Sequence, residues 1–183
     1  MKKDLLERYS RTADGKVIID ITTERIEDLY NYFDKNAPYL KKDLDQEFVD
    51  YLIDSVHEIG KEDFVIRFRF SAMTDDTNTS RVQMSIRNYF LHQKELEVRE
   101  LKRMTRKALT LFSIGVVILT LSVLVNQELA IDETVVSRLF AEGLTIAAWI
   151  SLWEALATFL LNWAPHRNKI KLFERISKAP VFF

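Results

Sequence analysis

The sequence predicts a helix-dominated chain in two parts, an α+β cytosolic domain of order β-α-α-β-α that continues into a two-helix transmembrane hairpin. Three observations carry this. Residues 108–126, ALTLFSIGVVILTLSVLVN, run for 19 residues without a charge, and a second apolar run spans about 140–164; each matches the ~20 residues needed to cross a ~30 Å hydrocarbon core. Charge is divided between the two parts: residues 1–100 hold 16 Lys/Arg and 21 Asp/Glu, whereas 101–183 hold 10 and 6. Two stretches ahead of the first run, GKVIIDITT (15–23) and DFVIRFRFS (63–71), alternate as half-buried strands do.

In chain order, residues 1–14 read as a flexible segment. They contain no apolar core of signal-peptide length, so the N-terminus is expected to stay uncleaved in the cytosol. Residues 15–95 form the cytosolic domain. In its first strand Val17, Ile19 and Ile21 face one way; in its second, Phe64, Ile66, Phe68 and Phe70 do. Pairing of the two would let Asp20 meet Arg67 or Arg69 on the outer face. Between them, ERIEDLYNYF predicts a short helix and DLDQEFVDYLIDSVHEIG a longer one, with Asp43 as N-cap and Gly60 past its end. The apolar stripe of the longer helix is Leu44, Phe48, Tyr51, Leu52, Val56 and Ile59.

The loop AMTDDTNTS follows. From about Ser80 the chain runs without proline to Asn126, 47 residues or roughly 70 Å of helix. Val82, Ile86, Tyr89, Phe90 and Gln93 are expected to face the sheet. Residues 96–107 form a charged, solvated stalk that ties the domain to the hairpin, and Gly115 is the one point at which this helix would bend. A two-stranded sheet is marginal alone, and its open edges would pair with a neighbouring chain, which predicts a homo-oligomer.

The hairpin occupies 108–164, with spans at about 108–126 and 140–164. Its connector, QELAIDETVVSR, carries only Arg138, whereas Lys102, Arg103, Arg106 and Lys107 precede the first span and Arg167, Lys169 and Lys171 follow the second. The excess of Lys/Arg places both termini in the cytoplasm and these seven cations at the membrane surface. In the second span Gly143, Ala147, Ser151, Glu154, Thr158 and Asn162 recur at three- and four-residue spacing, with a weaker counterpart in Thr110, Ser113, Val117 and Thr120 on the first. Such a stripe reads as a helix–helix seam, within the hairpin or between chains, or as the lining of an aqueous path. Glu154 lies near mid-bilayer, where a charge costs on the order of 3 kcal/mol; keeping it protonated at neutral pH costs a similar amount. It therefore needs a hydroxyl, another Glu154 or water. Residues 165–183, HRNKIKLFERISKAPVFF after the proline, form a basic juxtamembrane tail. Its Ile170, Phe173 and Ile176 would lie along the headgroups or dock on the chain's own domain.

Catalytic signatures are missing. The absence of cysteine excludes disulfides, thiolate metal sites and thiol nucleophiles. Four unclustered glycines exclude a phosphate loop. DDTNTS (75–80) lacks the spacing and glycine of a calcium loop, and Asp54, His57 and Glu58 have no nucleophile beside them. Asp43, Glu47, Asp50 and Asp54 read as a solvated helix face. The acidic soluble part argues against nucleic acid, and no cofactor or metal is expected.

The strings PYLKKDLDQEFVDYLIDSV, NYF at 88–90, LKRMTRKALTLFSIGV and LLNWAPHRNKIKLFERI together resemble a group of small bacterial inner-membrane proteins of unassigned function, with a cytosolic segment and two closing spans. The resemblance covers most of the chain from about residue 36. It implies a bacterial inner-membrane location and carries no catalytic residue, cofactor or substrate. The expectation is a non-enzymatic, self-associating scaffold or interaction module. Its partners would be membrane lipid, further copies and a cytosolic protein. The alternatives are an oligomeric ion channel or pore-forming effector, with Glu154 ringing the path, and a membrane-surface enzyme.

Overall fold

The computed structural model describes residues 6–31, 43–71, 76–129 and 135–183. Outside these lie residues 1–5 of the predicted flexible segment, 32–33 of the predicted first helix, 72–75 of the loop and 130–134 of the connector. The elements in order are strand β1 (Val17–Thr23), a 3₁₀ turn (Ile26–Leu29), helix α1 (Gln46–Ile59), strand β2 (Phe64–Phe70), helix α2 (Asp76–Leu129), helix α3 (Val135–Ser177) and strand β3 (Val181–Phe182). Helix dominates. The chain divides into two compact units, residues 1–95 with 170–183, and residues 96–169.

In the first unit β1 and β2 pair in parallel, Ile19 opposite Ile66 and Asp20 opposite Arg67. Parallel neighbours need a crossover, and α1 supplies it. The inner face of the sheet (Val17, Ile19, Ile21, Phe64, Ile66, Phe68) joins Phe48, Leu52 and Val56 of α1 and Val82, Ile86 and Phe90 of α2 in one buried cluster. On the outer face Arg67 Nε and Nη2 donate to Asp20 Oδ1 and Oδ2 at 2.6 and 2.8 Å. This fork holds the Asp20 carboxyl below its ordinary range, and the nearby Arg69 charge adds to the effect.

Four expectations are corrected here. ERIEDLYNYF gives only the 3₁₀ turn within the described residues, because Tyr30 is extended and bridges Leu44. The same bridge keeps Leu44 out of α1, so the N-cap is Asp45 rather than Asp43; its carboxylate accepts from Glu47 N at 2.9 Å and Phe48 N at 3.2 Å. Tyr51 is 48% exposed and its hydroxyl donates to Asp20 O, while Val49 and Ser55 complete the buried stripe. Asp76–Ser80 begin α2 instead of lying in a loop. Gly60 does end α1, at φ 72°, a conformation that glycine adopts without strain.

The termini close the sheet. β3 pairs in parallel with β2, and Ile66 N donates to Pro180 O at 2.9 Å. Phe183 stacks on Phe68 at 5.7 Å. Beyond β1, Arg11 bridges Val17, Ile18 N donates to Ser10 O at 2.8 Å, and a turn through Gly15 (φ 81°) joins the two segments. The same chain thus covers Val17 and Ile18 of β1 and Ile66 and Arg67 of β2, and the expected two-stranded sheet has three strands.

Residues 170–177 belong to the core as well. Leu172, Phe173 and Ile176 are buried, with Phe173 6.0 Å from Phe90. Arg175 donates to Gly60 O and, at 2.7 Å, to Glu62 O, satisfying carbonyls after α1. Of the two alternatives for the tail, docking on the chain's own domain is the one present. Phe173 and Ile176 are not available to a lipid surface.

Candidate functional site: the two-helix unit

Residues 96–169 pair parts of α2 and α3. Asn78–Val125 and Arg138–Ser177 each contain an 18-residue window apolar enough to cross a membrane, and only 17% and 11% of those windows is buried. The core helix of a water-soluble protein would be mostly buried. Leu109, Phe112, Val117, Trp149, Ile150, Trp153 and Leu161 are among the large apolar side chains left more than half exposed.

What is buried is small. Ala108, Gly115 and Ser122 on α2, and Ala141, Ala148 and Ala155 on α3, are all buried. Each set repeats at seven residues, the spacing that keeps one stripe facing a partner helix. Leu152 fills the space over Gly115: a Cβ added there would lie 2.9 Å from Leu152 Cγ and Cδ2. One step along the same antiparallel register, the Ser122 and Thr145 hydroxyl oxygens are 2.6 Å apart. Thr145 is also within hydrogen-bonding distance of Ala141 O, at 3.0 Å. Close approach at small residues with one interhelical hydrogen bond is how helices associate in lipid.

The stripe singled out in the sequence lies elsewhere. At about 100° per residue it sits roughly a quarter-turn from the Ala141–Ala148–Ala155 line. Gly143, Ala147, Glu154 and Asn162 are exposed, with Ser151 and Thr158 half-buried. Nothing lies within 4 Å of a Cβ built on Gly143. Thr110 and Ser113 are exposed too, and their hydroxyls donate to Arg106 O at 3.0 Å and Leu109 O at 2.9 Å; Ser151 donates likewise to Ala147 O. These hydroxyls are satisfied by carbonyls one turn back and need no second helix. The register of the seam brings Glu154 level with Ser113, but the two do not bond. Among the described residues Glu154 has no hydrogen bond or ion pair. The small-residue repeat at seven-residue spacing is the sequence signal that marks this contact.

Of the predicted surface cations, Lys102, Arg103, Arg106, Lys107, Arg167 and Lys169 are exposed in this unit and Lys171 in the other. Arg103 pairs with Glu100 at 2.8 Å, and Arg167 lies 4.7 Å from the centre of the Trp163 ring. An ionic latch sits outside the apolar windows. His166 Nδ1 lies 2.6 Å from Glu97 Oε2, and Lys169 Nζ donates to Glu97 Oε1 at 3.3 Å. Burial alone would raise the Glu97 pKa, but these two hydrogen bonds and the nearby positive charge carry it below the ordinary value.

In the first unit His57, Asp54, Asp50 and Glu47 are exposed. Among the described residues no group of three His, Asp or Glu is placed to hold a metal. Comparison of the chain with protein-family models, curated proteins and solved structures gives no match.

Proposed function

We propose that the chain is a membrane-anchored, self-associating interaction module without catalytic activity. In this reading the hairpin crosses a bacterial inner membrane with both flanking segments in the cytoplasm, as the excess of Lys102, Arg103, Arg106, Lys107, Arg167, Lys169 and Lys171 over Arg138 favours. The α+β unit is held at the surface, where it receives a cytosolic protein partner. The observation that carries self-association is Glu154, exposed between Trp153 and Ala155 with no hydrogen-bond or ion-pair partner among the described residues. A carboxyl on a lipid-facing surface is costly, and intramembrane ionisable groups are normally turned toward protein or water. A second copy of the same face covers it, one carboxylic acid hydrogen-bonding another or a neighbour's backbone.

The test is the oligomeric state of the full chain in lipid nanodiscs, counted by single-molecule photobleaching. The wild type gives multimers and Glu154→Leu shifts the distribution to monomers. Identical distributions would remove the proposal. The pore reading predicts more than association. It calls for a conductance in reconstituted bilayers that Glu154→Gln abolishes.

A further inference from the structure

On the other side of the seam from Glu154, the two helices leave an apolar groove of about 440 Å³. Leu109 and Phe112 form one wall, and Leu152, Leu156 and Phe159 the other. Leu109, Phe112, Leu156 and Phe159 remain 64%, 51%, 48% and 43% exposed. Thr105 also lines the groove, but its hydroxyl donates to Leu101 O at 2.8 Å, so it turns no free polar group inward. The groove exists because Ala108 and Ala155, both buried, are too small to fill the flank of the contact they make.

Cations stand beyond one end of it. Lys102 precedes Leu109 by seven residues, two helical turns, and so shares its face. On the other wall the line continues from Phe159 to Trp163, whose rings are 6.2 Å apart, and on to Arg167, which covers Trp163. Lys102 and Arg167 are exposed and neither has an ion pair among the described residues. Glu97 and Glu100, which precede Lys102 on α2, are already paired, Glu97 with His166 and Lys169 and Glu100 with Arg103. An apolar groove about 10 Å along the helix from Thr105 to Phe112, headed by two cations without an ion pair among the described residues and an aromatic ring, matches one kind of molecule.

We infer that this groove seats an acyl chain of an anionic phospholipid, with Lys102 and Arg167 holding the phosphate. The inference rests on the hairpin crossing a membrane. It assigns the two sides of the hairpin different occupants, lipid here and a second copy at Glu154. The two cations beyond its end set this groove apart from the Glu154 face, which presents a carboxyl.

The test uses the full chain in phosphatidylcholine vesicles doped with a probe lipid bearing a photoreactive acyl chain, as phosphatidylglycerol in one arm and phosphatidylcholine in the other. Labelled positions are mapped by mass spectrometry. The anionic probe labels the groove residues in preference to the zwitterionic one. Lys102→Gln and Arg167→Gln, both on the surface, each reduce that preference roughly fivefold, as expected for one basic side chain near an anionic surface. Leu156→Trp, which puts a ring into the groove, reduces labelling by both probes. Equal labelling by the two headgroups in the wild type would overturn the site. Failure of the chain to co-float with any vesicle would overturn the membrane reading itself and the site with it, an outcome distinct from flotation without preference.

Discussion

The close approach at Gly115 in the two-helix unit can be measured against an internal control, Gly143. A Cβ at Gly115 would lie 2.9 Å from Leu152 Cγ and Cδ2 and 3.2 Å from Leu152 N. Carbon atoms rest at about 3.5–4.0 Å. The Leu152 side chain can change rotamer, but its backbone nitrogen yields only if the helices separate. Overpacking of this kind costs about 1–3 kcal/mol, offset by the roughly 1 kcal/mol that alanine gains over glycine inside a helix. Gly115→Ala is therefore expected to destabilise the hairpin by up to about 2 kcal/mol, and Gly115→Leu to prevent the contact. Gly143→Ala meets nothing within 4 Å and should be neutral or stabilising by up to about 1 kcal/mol. The assay exploits the absence of native cysteine. With Cys introduced at Ser122 and Thr145, whose hydroxyls are 2.6 Å apart, intramolecular disulfide formation in detergent reports the contact. Cross-linking should stay fast with Gly143→Ala, slow with Gly115→Ala and vanish with Gly115→Leu. If Gly115→Leu cross-links as fast as the parent, the seam is not where the helices meet.

Two further outcomes follow from the ionic latch and the sheet edge. The Glu97 pKa is lowered from 4.5 in the folded chain, so its stabilisation is present above that value and is lost as pH falls through the depressed one; an acid series of melting temperatures should drop more steeply for wild type than for Glu97→Gln, and superimposable slopes would show that the latch contributes nothing. Removing residues 180–183 from the full chain takes away the Pro180 acceptor for Ile66 N and the Phe183 stack on Phe68; the reopened β2 edge should lower the melting temperature and raise the aggregated fraction on size exclusion, and an unchanged profile would dismiss the role of β3.

The parts of the fold legible in the sequence are those written in local periodicity. The alternation of Val17, Ile19 and Ile21 and of Phe64, Ile66 and Phe68 marks two strands, and the register that the structure gives them brings Asp20 to Arg67. The glycine after Ile59 marks the end of α1, and the apolar runs mark two long helices. What escaped was set by contacts distant in the chain. Tyr30 and Leu44 are apolar and periodic enough to suit helices, yet their mutual bridge draws both into extended backbone. Val181 and Phe182 are too short a run to announce a strand, and only the edge of β2 makes them one. In the hairpin, the three- and four-residue spacing of polar residues drew attention from the seven-residue spacing of alanine, glycine and serine. Hydroxyls on a helix bond to the preceding turn, so they are poor markers of an interface. The absence of a side chain is the better one.

The outward face of the hairpin then has to be judged by its solvent. In water, the exposed Trp149, Ile150, Trp153 and Leu161 would form a patch that drives indiscriminate association. Against acyl chains the same surface has no such drive, because lipid tails are as apolar as leucine. Those side chains therefore specify no partner in a bilayer, however large their area. A carboxyl among them is different, since every contact that hydrates it or bonds to it is favoured over lipid. Glu154 needs no intrachain contact to hold the two helices together, because Gly115–Leu152 and Ser122–Thr145 already do so. It is free to act between molecules. On the proposed self-association, replacing it should leave cross-linking within the hairpin unchanged while abolishing association between copies, a separation that a residue serving the intrachain seam could not produce.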